Sequence, residues 1–257
     1  MMNKATTSIL AIAMLALLSS NLQAADEFKA VEAKLEKAMK SAARTEAEIK
    51  RDRNRKPVAT LKFFGFRDDM TVVELVPGGG WYTKLLAPVL ADKGKLFVAL
   101  GAGRLEDGLL KEKGFEKVVV TAKEATMGRK PGAARYHLNV NDLGVDGADM
   151  VLTFRNYHNF DAPGRAVMNQ VSFDALKPGG VYALVDHTRR HMQGDNDENG
   201  RRFDAVLAIK EIQAAGFVFE DYSKLHYRLD DELRYEVGRK TVTGNTDRWT
   251  LKFRKPK

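Results

Sequence analysis

The chain has 257 residues, of which 44% are hydrophobic and 30% charged, so it is long enough for one well-cored domain. It contains no cysteine, which excludes disulfide bonds. The formal net charge is +8, but Lys and Arg are interleaved with Asp and Glu, as in "EAEIKRDRNRK". That mixture is typical of a solvated helix face and argues against nucleic-acid binding.

The first 24 residues form a separate segment. Lys4 precedes an apolar stretch from Ile9 to Leu18, and a short polar run then ends at Ala24. This is the layout of a secretory signal peptide. A membrane anchor is the alternative, but a bilayer span needs about 20 apolar residues, and this stretch is far shorter. We expect cleavage after Ala24, which leaves residues 25–257 as one periplasmic domain without a membrane span.

The remaining chain alternates helical and strand patterns. Apolar residues at three- and four-residue spacing run from 27 to 55 and stop before Pro57, which predicts a lead-in helix within residues 25–56. Strand patterns follow at "TVVELV", "KLFVAL", "KVVVTA", "RYHLNV", "DMVLTF", "VYALVD", "FVFEDY" and "RWTLKF". Helical patterns between several of them include residues 81–90, "GRAVMNQVSFDALK" and "RRFDAVLAIKEIQAAG". The alternation predicts a doubly wound α/β fold with a mostly parallel sheet.

A glycine-rich turn, "ELVPGGGWYT" over residues 74–83, joins the first strand to the next helix. In a doubly wound sheet, ligands bind beyond the carboxyl ends of the strands, where a helix N-terminus offers free amides. Gly78, Gly79 and Gly80 therefore predict close contact with a ligand, although a plain strand-to-helix turn is the alternative. The contiguous glycines do not match the dinucleotide pattern G-x-G-x-x-G, and no P-loop sequence is present.

Three motifs carry a family resemblance: "VVELVPGGGWYTKLLAP", "ADMVLTFRNYHNF" and "ALKPGGVYALVDH", in this order. Together they resemble the class I S-adenosylmethionine-dependent methyltransferases. More narrowly, the chain is similar to a group of exported bacterial predicted methyltransferases with a PGGGWYT turn, an FRNxHN motif and a terminal "TDRWTLKFRKP". The resemblance covers roughly residues 50–257. It implies a Rossmann-like sheet of seven strands whose last strand, "RWTLKF", is antiparallel beside "FVFEDY".

The resemblance also implies site residues for S-adenosylmethionine. In the family, the acid of the first strand and the glycine turn hold the methionine part of the cofactor, and an acid after the third strand lies near the adenine. The corresponding residues here, with their neighbours in the turn and after the fourth strand, are Glu74, Pro77, Gly78, Gly79, Gly80, Trp81, Tyr82, Asp142, Arg155 and Asn156.

Two positions depart from the family pattern. Val76 stands where the family has its first turn glycine, and a β-branched residue does not readily take a positive φ. We therefore expect the strand to continue through Val76 and the turn to begin at Pro77. At the end of the second strand, "FVALGAG" has no carboxylate for the ribose hydroxyls. Glu106 and Asp107, in the next helix, are the nearest acids along the chain.

Methyl transfer needs alignment of donor and acceptor, and a base only where the acceptor loses a proton. The candidate catalytic residues are Tyr157 and His158 after the fourth strand and His187 after the fifth, all at the ligand side of the sheet. A hydrogen-bonded loop histidine is the alternative for each. A metal site is not indicated, since no H-E-x-x-H spacing occurs.

The stretch "DNDENG", residues 195–200, matches the opening of an EF-hand loop. The twelfth position, which needs a bidentate Glu, is Val206, so a polar surface loop is predicted instead of a calcium site. The function predicted from the sequence is methyl transfer from S-adenosylmethionine to a small-molecule acceptor. A methyltransferase-fold binding protein that has lost catalysis is the main alternative, and a nicotinamide-dependent oxidoreductase is a third.

Overall fold

The computed structural model describes residues 28–257. The predicted signal peptide, residues 1–24, lies outside the described residues. Within the described part, no helix is both long enough and apolar enough to cross a membrane.

The lead-in segment consists of short helices instead of one long one. Helix α1 covers residues 28–39, and α2 (Glu46–Ile49), α3 (Asp52–Arg55) and α4 (Pro57–Phe64) follow. The prediction of a continuous helix from 27 to 55 is therefore wrong. The physical reason lies at Arg44 and Thr45: Thr45 and Glu48 form a capping box that starts α2, and the Arg44 guanidinium donates to the Met39 carbonyl at 2.8 Å.

The strands and remaining helices occur close to where the sequence predicts them. In chain order they are β1 (Thr71–Leu75), α5 (Thr83–Leu90), β2 (Lys95–Ala99), α6 (Gly103–Asp107), β3 (Val119–Thr121), β4 (Thr126–Gly128), β5 (His137–Asn139), β6 (Ala148–Phe154), α7 (Ala162–Ala175), β7 (Leu176–Arg189), β8 (Phe203–Asp204), α8 (Ala205–Ala214), β9 (Val218–Tyr222) and β10 (Arg248–Arg254).

The main sheet has the strand order β3-β2-β1-β6-β7-β10-β9, and β8 pairs with β7. Strands β1, β2, β3, β6 and β7 are parallel, whereas β10 is antiparallel to both β7 and β9. The antiparallel "RWTLKF" strand is thus confirmed. The predicted strand "RYHLNV" instead forms β5, which pairs with β4 in a separate two-stranded sheet. The order reverses between β1 and β6, and such a switch point is where ligands bind in this fold class.

Two hydrophobic cores lie on opposite faces of the sheet. Helices α1, α4 and α5 pack on one face, and α7 and α8 pack on the other. Strand β6 shows the alternation: Met150, Leu152 and Phe154 join the first core, and Val151 joins the second. Both faces of the central strands are therefore covered, which explains their nearly continuous apolar sequences.

Candidate functional site

A cavity of about 380 Å³ opens at the carboxyl ends of β1, β6 and β7, beside the switch point. Its walls contain most of the residues that the sequence predicts for a ligand site. Those that line it are Glu74, Pro77, Gly78, Gly79, Trp81, Tyr82, Arg155, Asn156, His158 and His187. These residues are distant along the chain, and the parallel strands bring them to one edge of the sheet.

The backbone that follows β1 is left-handed. Val76 has φ 52°, so the expectation that the strand continues through it in extended form is wrong. The amide of Val76 still donates to the Ala99 carbonyl at 2.9 Å, which adds one bond to the ladder with β2. Its carbonyl accepts from the Asn156 side chain at 3.1 Å. Val76 therefore takes the conformation of a turn glycine while both of its backbone groups are bonded.

The three glycines of the turn have different surroundings. A Cβ added to Gly78 or Gly79 would meet no atom within 4 Å, so both present bare backbone to the cavity. A Cβ on Gly80 would come within 2.7 Å of Leu109 and 2.9 Å of Leu105. Gly80 is thus required for packing and is not a lining residue, whereas Gly78 and Gly79 leave space for a ligand.

Glu74 lies at the end of β1 and is buried at 3% exposure. The Thr83 hydroxyl donates to its carboxyl group at 2.7 Å. Burial raises the pKa of Glu74 to about 8, so the group is protonated at neutral pH. Tyr82, stacked on Phe154 with 3.5 Å between ring centres, is buried beside it, and burial raises its pKa to about 12.

His158 and Asp186 form a buried pair at the cavity wall. The Nδ1 atom of His158 lies 2.6 Å from Oδ1 of Asp186, and the His158 amide donates to the other carboxylate oxygen at 3.0 Å. A carboxylate at Nδ1 favours the tautomer with its proton there, which leaves Nε2 as the proton acceptor. The side chains of His158 and Asp186 are 4% and 1% exposed, so the arrangement is held without competition from water.

His187 is the second cavity histidine, with its ring centre 5.7 Å from that of His158. Its Nδ1 atom lies 2.9 Å from the Thr246 hydroxyl, and its amide donates to Asp186 at 2.6 Å. Burial holds the pKa of His187 well below its ordinary value, and the nearby His158 and arginines act in the same direction. His187 is therefore a neutral hydrogen-bonding group.

Besides Gly80, two predicted site residues, Tyr157 and Asp142, do not line the cavity. Tyr157 is fully buried on the other face of the sheet, where its hydroxyl donates to Glu211 and accepts from Asn169, both at 2.9 Å. The structure therefore does not bring Tyr157 to the cavity, because the strand end that places His158 at the cavity wall turns Tyr157 into the core. Asp142 is exposed and caps a turn by accepting from the Gly144 amide at 2.7 Å; it does not line the cavity.

The end of β2, where the family resemblance requires an acid, is apolar. Leu100 is buried and left-handed there, with φ 63°. The Met127 side chain lies against Gly101, only 2.4 Å from the place of an added Cβ. Glu106 is half exposed and pairs with Lys123, so it does not turn toward the cavity.

Two groups of lining residues were missed from the sequence. Arg51 and Arg55, one helical turn apart in the lead-in segment, form part of the wall. The interpretation of "EAEIKRDRNRK" as a solvated helix face is therefore wrong for these two side chains. The other group is in the long connection between β9 and β10, which contributes Val237, Gly238, Thr243, Gly244 and Thr246. For the first group, the four-residue spacing of Arg51 and Arg55 indicates that both side chains lie on one face of a helix.

Trp81 joins the lead-in segment to the turn. Its indole Nε1 donates to the Glu48 carbonyl at 3.1 Å, and the guanidinium of Arg55 lies 4.2 Å from its ring centre. Lys84 of α5 also bonds the Glu48 carboxylate at 2.9 Å. The segment of α2 and α3, which carries the wall residues Arg51 and Arg55, is thus fixed directly to the glycine turn.

No protein-family model matches the chain, and no curated protein matches it in sequence. Solved structures resemble it in fold. A SAM-dependent methyltransferase from Aquifex aeolicus aligns with a TM-score of 0.54 and 14% identity over 87% of this chain and 98% of that one. The [4+2]-cyclase SpnF aligns with a TM-score of 0.53 and 14% identity over 84% of this chain and 85% of that one. A third structure is a chain from the complex of the Haloferax volcanii Trm112 methyltransferase activator with its predicted methyltransferase. It aligns with a TM-score of 0.52 and 16% identity over 90% of this chain and 97% of that one.

At such low identities the likeness concerns the fold, and one of these structures is a cyclase. The strand order with its reversal at β1 and β6, the antiparallel β10 and the helices on both faces agree with it. The chain therefore has the Rossmann-like α/β fold found in S-adenosylmethionine-dependent methyltransferases.

Proposed function

We propose that the chain is an exported S-adenosylmethionine-dependent methyltransferase whose small-molecule acceptor gives up a proton to His158. The observation that carries this proposal is a juxtaposition: the open backbone of Gly78 and Gly79 and the buried pair of His158 with Asp186 face one cavity. A donor site and a base for the acceptor thus share one cavity, as a reaction between the two ligands requires.

The turn after β1 fits the methionine end of the cofactor. Gly78 and Gly79 leave room for a ligand against the backbone, and Glu74 lies at the same strand end. S-adenosylmethionine, when bound, supplies a methyl group on a positively charged sulfur. A positive group beside Glu74 would favour the ionised carboxylate, opposing the effect of burial on its pKa. The end of β2 offers no carboxylate to the ribose, because Leu100 stands there.

The acceptor end is supplied by the two histidines. His158, oriented by Asp186, takes the proton from the acceptor atom at Nε2 as that atom becomes nucleophilic. His187 remains neutral because it is buried, and it contributes a hydrogen bond without adding charge. This division suits an acceptor with a hydroxyl or other weakly acidic group, which needs a base.

A second candidate is a binding protein of the same fold without catalysis. It is favoured by the end of β2, where Leu100 replaces the expected acid and Met127 lies against Gly101. Under this candidate the cavity binds a ligand, but no methyl group leaves it.

The experiment is a transfer assay with methyl-labelled S-adenosylmethionine and a pool of small-molecule acceptors. We expect labelled product, and His158→Ala should lower turnover by about 100- to 10,000-fold while cofactor affinity changes little. His137→Gln is the matched control, because His137 also pairs with a carboxylate, Asp161 at 3.0 Å, but lies outside this cavity. Cofactor binding without any product would favour the binding protein. Product formation unaffected by His158→Ala would remove the assigned base.

A further inference from the structure

The cavity has an excess of positive charge. Arg51, Arg55 and Arg155 all line it, and the Nε atom of each is buried without a hydrogen-bond partner. A fourth arginine at the wall, Arg201, is paired with Glu236 at 2.7 Å. Among residues 28–257, no carboxylate forms an ion pair with the first three guanidinium groups. Partly buried charges without a counter-ion are costly, so their convergence requires an explanation.

The carboxylate that lines the cavity does not balance these charges. Burial raises the pKa of Glu74 to about 8, so without a bound cofactor this group adds little negative charge at neutral pH. The positive charges also oppose one another: burial and the nearby Arg155 lower the pKa of Arg55 to about 9. Trp81 and Tyr82 lie under the Arg55 guanidinium at 4.2 Å and 5.7 Å and stabilise it in part, but an aromatic face does not replace an anion.

S-adenosylmethionine does not restore the balance either. It carries one carboxylate against an ammonium and a sulfonium, so it brings a net positive charge into a cavity that is already positive. One arginine is enough for its carboxylate. An ionised Glu74 would offset only the sulfonium, so the counter-charge for the three arginines is left to the other reactant.

We infer that the methyl acceptor is an anion, held through a carboxylate or phosphate group by Arg51, Arg55 and Arg155. That the anion is the methyl acceptor rests on the proposed function, whereas the anion site itself rests on the arginine cluster alone. Guanidinium groups are suited to this task because they bind carboxylate and phosphate oxygens through two parallel hydrogen bonds. An anion beside the arginines also favours entry of the sulfonium, so the two ligands assist one another.

The test uses the whole mature chain and two probes, inorganic phosphate and malonate, titrated by calorimetry against sodium chloride of equal ionic strength. We expect at least one probe to bind, and Arg51→Gln, Arg55→Gln and Arg155→Gln each to weaken it by about tenfold. Arg67→Gln is the matched control, since Arg67 is exposed and pairs with Asp69 away from the cavity. Arg51→Gln guards against misfolding, because Arg51 is only half-buried and precedes a short surface helix. A preference between the probes tells phosphate from carboxylate.

The same titrations, repeated with S-adenosylmethionine, separate this inference from the proposed function. We expect the bound anion to raise cofactor affinity several-fold, and the cofactor to raise anion affinity by the same factor. The inference would be overturned if neither probe bound beyond the chloride control. It would also be overturned if all three variants bound the probes as tightly as the wild type. Competition between probe and cofactor would also overturn it, because the arginines would then serve the cofactor carboxylate. Anion binding without any cofactor binding would remove the proposed function and leave the anion site.

Discussion

Left-handed residues follow four adjacent strands of the sheet. They are Ala122 after β3, Leu100 after β2, Val76 after β1 and Arg155 after β6, with φ between 50° and 64°. A residue other than glycine in this region costs on the order of 1–3 kcal/mol, and such strain is found where a site imposes it. At Val76 the surrounding bonds to Ala99 and Asn156 impose the conformation. Sequence rules favour an extended Val76, so this feature was not predictable from residue type.

The protonation of Glu74 affects the stability of the fold. The folded chain keeps its proton up to about pH 8, whereas the unfolded chain releases it near pH 4.5. The folded-state pKa is raised, so the stabilising contribution is complete below about pH 4.5 and is lost as pH rises through 8. Glu74→Gln should therefore gain stability relative to wild type between pH 5 and pH 8, on the order of 1.4 kcal/mol for each pKa unit.

Urea unfolding of both proteins at pH 5 and pH 8 measures this difference. Gln keeps an oxygen that accepts from the Thr83 hydroxyl, so the comparison isolates the charge. An equal difference at both pH values would mean that the carboxylate is already ionised in the folded chain.

The connection from residue 223 to 247 has no helix or strand, yet it forms one wall of the cavity. A fully buried ion pair fixes it: Arg202 donates to both oxygens of Asp231 at 2.9 Å. Asp231 also accepts from the Asp247 amide, and Arg202 donates to the Tyr235 carbonyl. Long structureless connections in compact folds commonly carry function, which agrees with its place at the site.

We expect Asp231→Asn to destabilise the fold by about 3 kcal/mol, because it leaves the Arg202 guanidinium buried without its counter-ion. Hydrogen exchange should become faster throughout residues 223–247. The amides of the central strands, which exchange more slowly, should change less. Glu232→Gln is the control, since Glu232 and Arg234 form a well-exposed pair and such pairs contribute about 0–1 kcal/mol. Equal stability of the two variants would show that the buried pair does not hold the connection.

Some elements were predictable from local chemistry and others were not. The central strands were recognised because runs such as "TVVELV" and "DMVLTF" are apolar and rich in β-branched or large residues. The lead-in segment was not, because the apolar spacing before Ala42 gives no sign of the break at Thr45. Arg51 and Arg55 were missed for a related reason: their role depends on α3 lying against Trp81, a contact between distant parts of the chain.

Export of the protein stays a prediction. The apolar stretch from Ile9 to Leu18 and the short polar run to Ala24 lead us to expect a mature chain that begins at Ala25 in a periplasm-like compartment. N-terminal sequencing of the exported protein checks this directly. Retention of Met1 on the protein would contradict it.

The site was predicted where the fold rule applies and missed where it does not. Parallel strands bring their carboxyl ends together, so Gly78, Gly79, His158 and His187 meet at one cavity as expected. Tyr157 turned out to be a core residue, because one position along a short turn reverses the direction of a side chain. The Asp186 partner of His158 and the wall from the β9–β10 connection depend on tertiary contacts that no local pattern encodes.

The most direct test of the account is a calorimetric titration of the mature chain with S-adenosylmethionine and its demethylated product. We expect both to bind, and Gly79→Val to abolish binding while the melting temperature stays nearly unchanged, because a Cβ at this position meets no protein atom within 4 Å and the side chain extends into the cavity. Gly80→Val should instead lower the melting temperature, since Leu105 and Leu109 fill that space. Absence of binding to the wild type, or unchanged affinity in a folded Gly79→Val variant, would contradict the assignment of the cavity to this cofactor.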